Sequence, residues 1–424
     1  MDPTAASPET PEEHLIFWSI TCTWGFYAVG ALYLLAPALG WMLLALLIWR
    51  LYAEEAPVRL PLTALIWCGG MLVMLVALIV GHVTFALGAA QLVKSMVGWA
   101  KGWALMALFV LAGASLRIRV QVLARAINIL ALQTLLLVPL FLIAPHIGLP
   151  GRLFISPFSM LGGPGPEFFE VQLYAYGAGG EGLRWRFFSP WAPAAGMVAN
   201  VSLVISWLDR GLWWRTAGVA AAVAVCLLSQ SRLALLAVIV VPLLGWLLAR
   251  LTQPALAMLA ALLATVAGLT ATTLIDLAEQ AQARFSAARA ASSRVRAALG
   301  RIAVQRWSVE APWFGHGAVE RGSHLVEFMP IGSHHTWYGL LFVKGMVGFG
   351  ALAVPMLASF LEMLVKAQAS RTARAGLAIM LILFFYTFGE NLEILVYQFW
   401  PGLILLGRAS SQRVSSPFRT LLAG

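Results

Sequence analysis

Apolar residues run in long stretches separated by short polar turns, from about residue 15 to residue 407. This is neither the strict alternation of a half-buried strand nor the one-sided period of a soluble helix. Stretches of this kind read as membrane-spanning helices, because a perpendicular span needs about 20 mostly apolar residues. They fall at roughly 15–35, 37–52, 60–81, 102–116, 123–144, 191–208, 212–228, 233–249, 254–275, 337–361, 375–390 and 393–407. The pattern predicts an all-α polytopic membrane protein with about 12 transmembrane helices. Residues 83–101 contain Lys94 and Lys101 and read instead as an interfacial or re-entrant segment.

Two long gaps interrupt the spans, at 145–190 and 276–336. The first is rich in Gly, Pro and aromatic residues, as in Leu161-Gly-Gly-Pro-Gly-Pro-Glu167, and has no regular period, which predicts an irregular loop. The second is Ala-rich over 278–310 and predicts a helix. The chain thus divides into a tail (1–14), N-terminal spans (15–144), a first loop (145–190), central spans (191–275), a large helical loop (276–336), C-terminal spans (337–407) and a second tail (408–424). The acidic, Pro-containing residues 1–14 lack the basic region and cleavage site of a secretory signal and read as a short cytoplasmic tail.

Composition agrees with a lipid solvent. The 424 residues are 61% hydrophobic and 11% charged, against about 25% charged in a soluble domain. The formal net charge is +10, with 24 Arg and 4 Lys. Most of these flank apolar spans, so they report topology and not nucleic-acid binding. Arg50 and Arg59, then Arg117, Arg119 and Arg125, Arg210 and Arg215, Arg250, Lys366, Arg371 and Arg374, and Arg408, Arg413 and Arg419 all fall on one side, expected to be cytoplasmic together with both termini. Both long loops then lie on the opposite face. The second carries seven Arg against five acidic residues, which suggests an anionic partner. Cys22, Cys68 and Cys226 lie in apolar runs and predict neither disulfide nor metal site.

The chemistry concentrates at that outer boundary. Arg184-Trp-Arg186-Phe-Phe-Ser-Pro190 ends the first loop just before a span. Ser229-Gln-Ser-Arg232 interrupts two apolar runs, where a guanidinium is costly unless paired or facing a water-filled cavity. Ser333-His334-His335-Thr-Trp-Tyr338 precedes another span and supplies imidazoles suited to proton transfer. Arg289 and Arg296 share one face of the loop helix, as do Arg294 and Arg301. Arg is the residue for bidentate phosphate recognition. The chain holds three Asp, and no DxD or comparable carboxylate pair is present to hold Mg²⁺. Glu390 and Glu393 at an outer turn have two readings, cation binding or, preferred, capping or orienting a basic neighbour.

At these residues the chain resembles the O-antigen ligase family, which shares a membrane domain with O-antigen polymerases and bacterial protein O-oligosaccharyltransferases. Ser231-Arg232-Leu-Ala-Leu-Leu resembles the family's SRxxxL at the start of a span. Arg186-Phe-Phe-Ser-Pro190 resembles its R..F..P pattern, with Trp191 where Asn is common. Arg301 to Gly317, ending Pro312-Trp-Phe-Gly315-His-Gly317, resembles the R…W…P..G.G segment. Ser333-His334-His335-Thr-Trp337 followed by Gly345 and Gly348 resembles HN..aromatic…G..G, with His335 in place of Asn and Val343 where an acid often lies. The likeness covers roughly residues 120–410.

That resemblance implies a helical layout like the GT-C glycosyltransferases, with the two long loops in the periplasm. It implies transfer of an O-antigen glycan from undecaprenyl diphosphate to a sugar hydroxyl of the lipid A-core, at the periplasmic face of the bacterial inner membrane, without metal or other cofactor. The expected catalytic residue is His334 or its neighbour His335, with His334 preferred as general base. Arg186, Arg232, Arg301 and Arg306 are expected to bind the diphosphate, with Arg184 and Arg289 in secondary roles. Besides the two lipid-linked substrates, membrane lipids are the expected partners. The rival enzymatic readings are O-antigen polymerase and protein O-oligosaccharyltransferase. The rival of another class is a transporter or flippase.

Overall fold

A computed structural model of the chain describes residues 6–53, 60–176, 182–273, 275–277, 279–280, 290–326, 328–332 and 334–413. The chain is mostly helical. The helices are α1 (Pro11–Thr21), α2 (Thr23–Ala28), α3 (Leu32–Ala53), α4 (Leu62–Thr84), α5 (Ala89–Lys101), α6 (Trp103–Ser115) and α7 (Val120–Ile143). After the first loop come α8 (Ala192–Ser206), α9 (Leu212–Ser229), α10 (Arg232–Leu248) and α11 (Pro254–Leu269). The loop helix α12 (Ala290–Glu310) precedes α13 (Thr336–Ala367), α14 (Arg371–Tyr386) and α15 (Leu392–Ser410). Six helical stretches among the described residues are long and apolar enough to cross a membrane, within 32–53, 62–84, 89–115, 120–143, 212–229 and 336–367. Their outward residues, such as Trp49, Leu62, Leu136, Trp213 and Leu357, are large, apolar and exposed. Water does not tolerate such a belt and a bilayer does. The protein is an all-α membrane protein.

The centre of the bundle is α15, in which every residue from Leu395 to Gly407 is buried. It crosses α6 at two glycines. A Cβ on Gly113 would overlap the carbonyl of Ile404, and one on Gly407 the carbonyl of Val110. Small residues at a crossing let two backbones approach where no hydrophobic force drives helices together. In contrast, α5 has no buried residue, as its two Lys suggest.

Four local expectations change. The spans at 15–35 and 37–52 divide at Val29–Ala31 and not at Pro37, which lies inside α3. The N-terminal residues are not a loose tail in their described part. Thr10 caps α1, and Glu12 and Glu13 are fully buried. Glu12 accepts from Arg50 at 2.7 Å and from the Arg117 amide at 3.1 Å, while Glu13 accepts from the amide and guanidinium of Arg119. The first loop is built and not irregular. β1 (Arg152–Ile155) pairs antiparallel with β2 (Glu170–Gln172), and β3 (Ala175–Tyr176) with β4 (Leu183–Arg184). Finally, α13 is broken at Gly345, whose φ of 62° is outside the helical region.

The basic segments gather at one end of the bundle. Gln121 donates to the carbonyl of Leu208, Arg371 to that of Trp207, and Gln368 to that of Leu248. Arg125 pairs with Asp209 at 3.0 Å. The other end holds the loop ribbons and the starts of α8, α10, α13 and α15. Arg289 and Ser333 lie outside the described residues, as do Arg59 and Arg419.

Candidate functional site

Four helices begin at one junction. Trp191 is the N-cap of α8, and its indole N–H donates to the Glu390 carboxylate at 2.8 Å. Thr336, the first residue of α13, donates its hydroxyl to the Glu390 carbonyl at 2.7 Å and accepts from the Leu392 amide at 3.1 Å. Its own amide donates to Thr387 at 2.9 Å, and Trp337 donates to the Thr387 hydroxyl. One threonine thus ties the start of α13 to the turn between α14 and α15. α10 joins through small residues: a Cβ on Gly389 would touch Leu233, and one on Gly196 of α8 would overlap Ala234. Asn200 of α8 donates to the Ala234 carbonyl at 3.2 Å.

The starts of these helices bring together the positive ends of four helix dipoles, an arrangement that favours an anion. Arg232 is the first residue of α10 and is half-buried there, behind the Ser231 cap. Arg296 of α12 adds a second guanidinium whose charge reaches both His334 and Glu390. α12 comes close because Gly300 leaves room for the Tyr338 ring, which a Cβ would meet at 2.8 Å.

The two histidines differ. His335 is the N-cap of α13, its Nδ1 accepting from the Tyr338 amide at 3.4 Å. Its ring stacks on Tyr338 at 3.9 Å and meets the edge of Phe388. His334 stands beside it in the loop, neither capping nor stacked. Burial holds both imidazoles down at about 4, with the Arg296 charge adding to the effect at His334, so both are neutral near pH 7. Glu390 lies in the turn, outside α14 and α15. Burial pushes its carboxyl up to about 7, opposed by the Trp191 hydrogen bond and the Arg296 charge.

The remaining expected residues are placed differently. Arg186 is buried and committed: it donates to Glu170 at 2.7 Å and to the Pro190 carbonyl, which locks the end of the first loop against α8. Arg306 pairs with Glu310 at 2.8 Å and with Glu320, and lies over the Phe342 ring. Glu310 also meets Nε2 of His316 at 2.7 Å, and these two partners hold its carboxyl down at about 2. Arg306 is therefore a fastener between α12, the following loop and α13. Arg301 is exposed on α12, and Arg184 is half-buried on β4.

The Pro312-to-Gly317 segment proves to be the partner of the α13 break. The amides of His316 and Gly317 donate to the carbonyls of Phe342 and Val343, each at 2.9 Å. On the far side of the break, the amides of Met346 and Val347 donate to the carbonyls of Pro312 and Trp313. The loop strand replaces the hydrogen bonds that the helix gives up. Gly315 and Gly317 have φ of 64° and 79°, and a Cβ on either would overlap neighbouring backbone.

No family model and no curated protein matches the chain. The site must therefore be read from its own chemistry. Sequence reasoning missed Arg296 as a site residue, naming it only for its helix face. Nor could it link Trp191 to Glu390, because 199 residues separate them. Among the described residues, no three His, Cys, Asp or Glu side chains gather to hold a metal ion.

Proposed function

We propose that the protein is a glycosyltransferase of the O-antigen ligase type, moving a glycan from a polyprenyl diphosphate to a hydroxyl of a lipid A-core sugar. The observation that carries the reading is an imidazole, His334, that stands beside the junction of four helix starts, within reach of the Arg296 charge. His334 takes the proton of the acceptor hydroxyl as that oxygen attacks the anomeric carbon. The diphosphate leaves with growing negative charge, which Arg232, Arg296 and the helix N-termini stabilise. A single in-line displacement inverts the anomeric centre. Glu390, fixed by Trp191 and Thr336, supports the electrostatics beside His334. In this reading the end bearing the basic segments faces the cytoplasm, and the site faces the periplasm of a bacterial inner membrane.

The break in α13 favours a transporter, since transporters bind substrate on discontinuous helices. Here, however, loop residues 312–317 take up the backbone groups freed on both sides of the break, so these do not face a substrate. Polymerase chemistry would use the same donor site with a second lipid-linked glycan as acceptor.

The test is purified protein with undecaprenyl-diphosphate-linked glycan and lipid A-core in the presence of EDTA. Glycan joined to the core is the expected product. Elongated glycan still on the carrier would make it a polymerase, and no transfer in the presence of either acceptor would overturn the enzymatic reading.

A further inference from the structure

At the end of the bundle away from His334, α8, α10 and α14 enclose a side cavity of about 420 Å³. Its walls are apolar, with Val204 on α8, Pro242 on α10 and Ala378 on α14. Trp207 and Trp246 flank the mouth, and Arg371 and Arg374 close one end. Two more guanidinium groups adjoin it: Arg215 lies over the Trp207 ring at 5.1 Å, and Arg250 over the Trp246 ring at 4.2 Å.

These groups are short of acceptors. Arg371 gives one hydrogen bond to the Trp207 carbonyl, and Arg374 gives one through Nε to the carbonyl of Ala367. A guanidinium carries five N–H donors. Nη1 of Arg250 is buried without a hydrogen-bond partner. Among the described residues, no carboxylate pairs with Arg215, Arg250, Arg371 or Arg374. The neighbouring Asp209 is already taken by Arg125 and Asn128. A concentrated positive charge over an apolar cavity in a membrane protein has the polarity of one kind of molecule, with an anionic head and a hydrocarbon tail.

We propose that this cavity binds an anionic glycerophospholipid. Its phosphate lies between Arg371 and Arg374, within reach of Arg250, and one acyl chain enters between Val204, Pro242 and Ala378. Trp207 and Trp246 sit at the head-group level, where indoles prefer to lie. The site is independent of the transferase chemistry at the other end, and it makes the packing of α8, α10 and α14 dependent on lipid composition.

The test uses the full chain in nanodiscs of phosphatidylcholine with and without phosphatidylglycerol, followed by native mass spectrometry after detergent release and by thermal unfolding. The expected result is retention of phosphatidylglycerol over phosphatidylcholine and a higher Tm with the anionic lipid. R371Q/R374Q, on an exposed helix start, should weaken retention about thirtyfold, since each Arg at a membrane surface contributes on the order of 1 kcal/mol. A378W fills the cavity and should abolish retention with all four Arg intact; V204F does the same from the opposite wall should A378W not fold. Equal retention of both lipids, or unchanged retention in R371Q/R374Q, would overturn the proposal. So would inorganic phosphate raising Tm as much as the lipid does, because the ligand would then be a free anion.

Discussion

Trp191 and Glu390 are joined by a 2.8 Å hydrogen bond that fixes the start of α8 to the turn before α15. The bond constrains a carboxyl whose burial favours its protonated form. The unfolded Glu390 titrates near 4.5 and the folded one at about 7. Between these values the folded state binds more protons, so this group lowers stability as pH rises through that window. Glu390→Gln keeps an acceptor for Trp191 and removes the titration. Its Tm should exceed that of the wild type at pH 8, and its pH profile should be flatter between pH 4.5 and 7. An unchanged profile would show that Glu390 does not titrate there.

The division of labour between the histidines separates stability from transfer. His335 caps and stacks, so His335→Ala should cost about 1 kcal/mol of stability, the usual value of an N-cap, and retain transfer. His334→Ala should fold like the wild type and lose transfer. Thermal unfolding and the ligation assay, run on both variants, read the two effects. Full activity in His334→Ala with a dead His335→Ala would reverse the assignment. Because His334 stays neutral down to about pH 4, transfer should fall with acid only below about pH 5.

The guanidinium groups sort in the same way. Arg296 and Arg301 are five residues apart on α12, so their side chains leave the helix about 140° apart. Of these two, Arg296 brings its charge to His334 and Glu390. Lys keeps the charge and loses the bidentate fork. Arg232→Lys and Arg296→Lys should each lower the transfer rate by about a hundredfold, the usual loss for one donor to a developing anion. Arg301→Lys should change it little. Arg306→Lys breaks an ion-pair network and should lower Tm more than it lowers the rate per folded molecule. Wild-type rates in both Arg232→Lys and Arg296→Lys would remove the leaving-group role.

What the sequence shows of this molecule follows from the range of each interaction. Long apolar runs locate helices because burial in lipid is set residue by residue. The break at Gly345 is hidden, since the hydrogen bonds that permit it come from residues 312–317. Glu12 and Glu13 look like solvated acids at a helix start, and only the distant Arg50, Arg117 and Arg119 make them buried ones. The fastening role of Arg306 does have a local signal: Glu310 lies four residues on, the spacing of a helical ion pair. Choosing between Arg296 and Arg301 needs the packing of α12 on Tyr338, which no local pattern states.

The glycines of the break offer the sharpest test of that packing. At Gly345 a side chain faces two penalties. A φ of 62° disfavours any residue with a Cβ by about 1–2 kcal/mol, and the added carbon would overlap the backbone of Trp313. Gly315 faces the same pair, at φ 64° and against the backbone of Val343 and Lys344. Neither overlap can be relieved by a rotamer change, because backbone lies on both sides. Gly345→Ala and Gly315→Ala should therefore each reduce the yield of monodisperse protein and lower Tm sharply. Gly350, with nothing within 4 Å of its would-be Cβ, should accept Ala without loss. Equal Tm values for Gly345→Ala and Gly350→Ala would mean that α13 runs unbroken and that the 312–317 strand is not its partner.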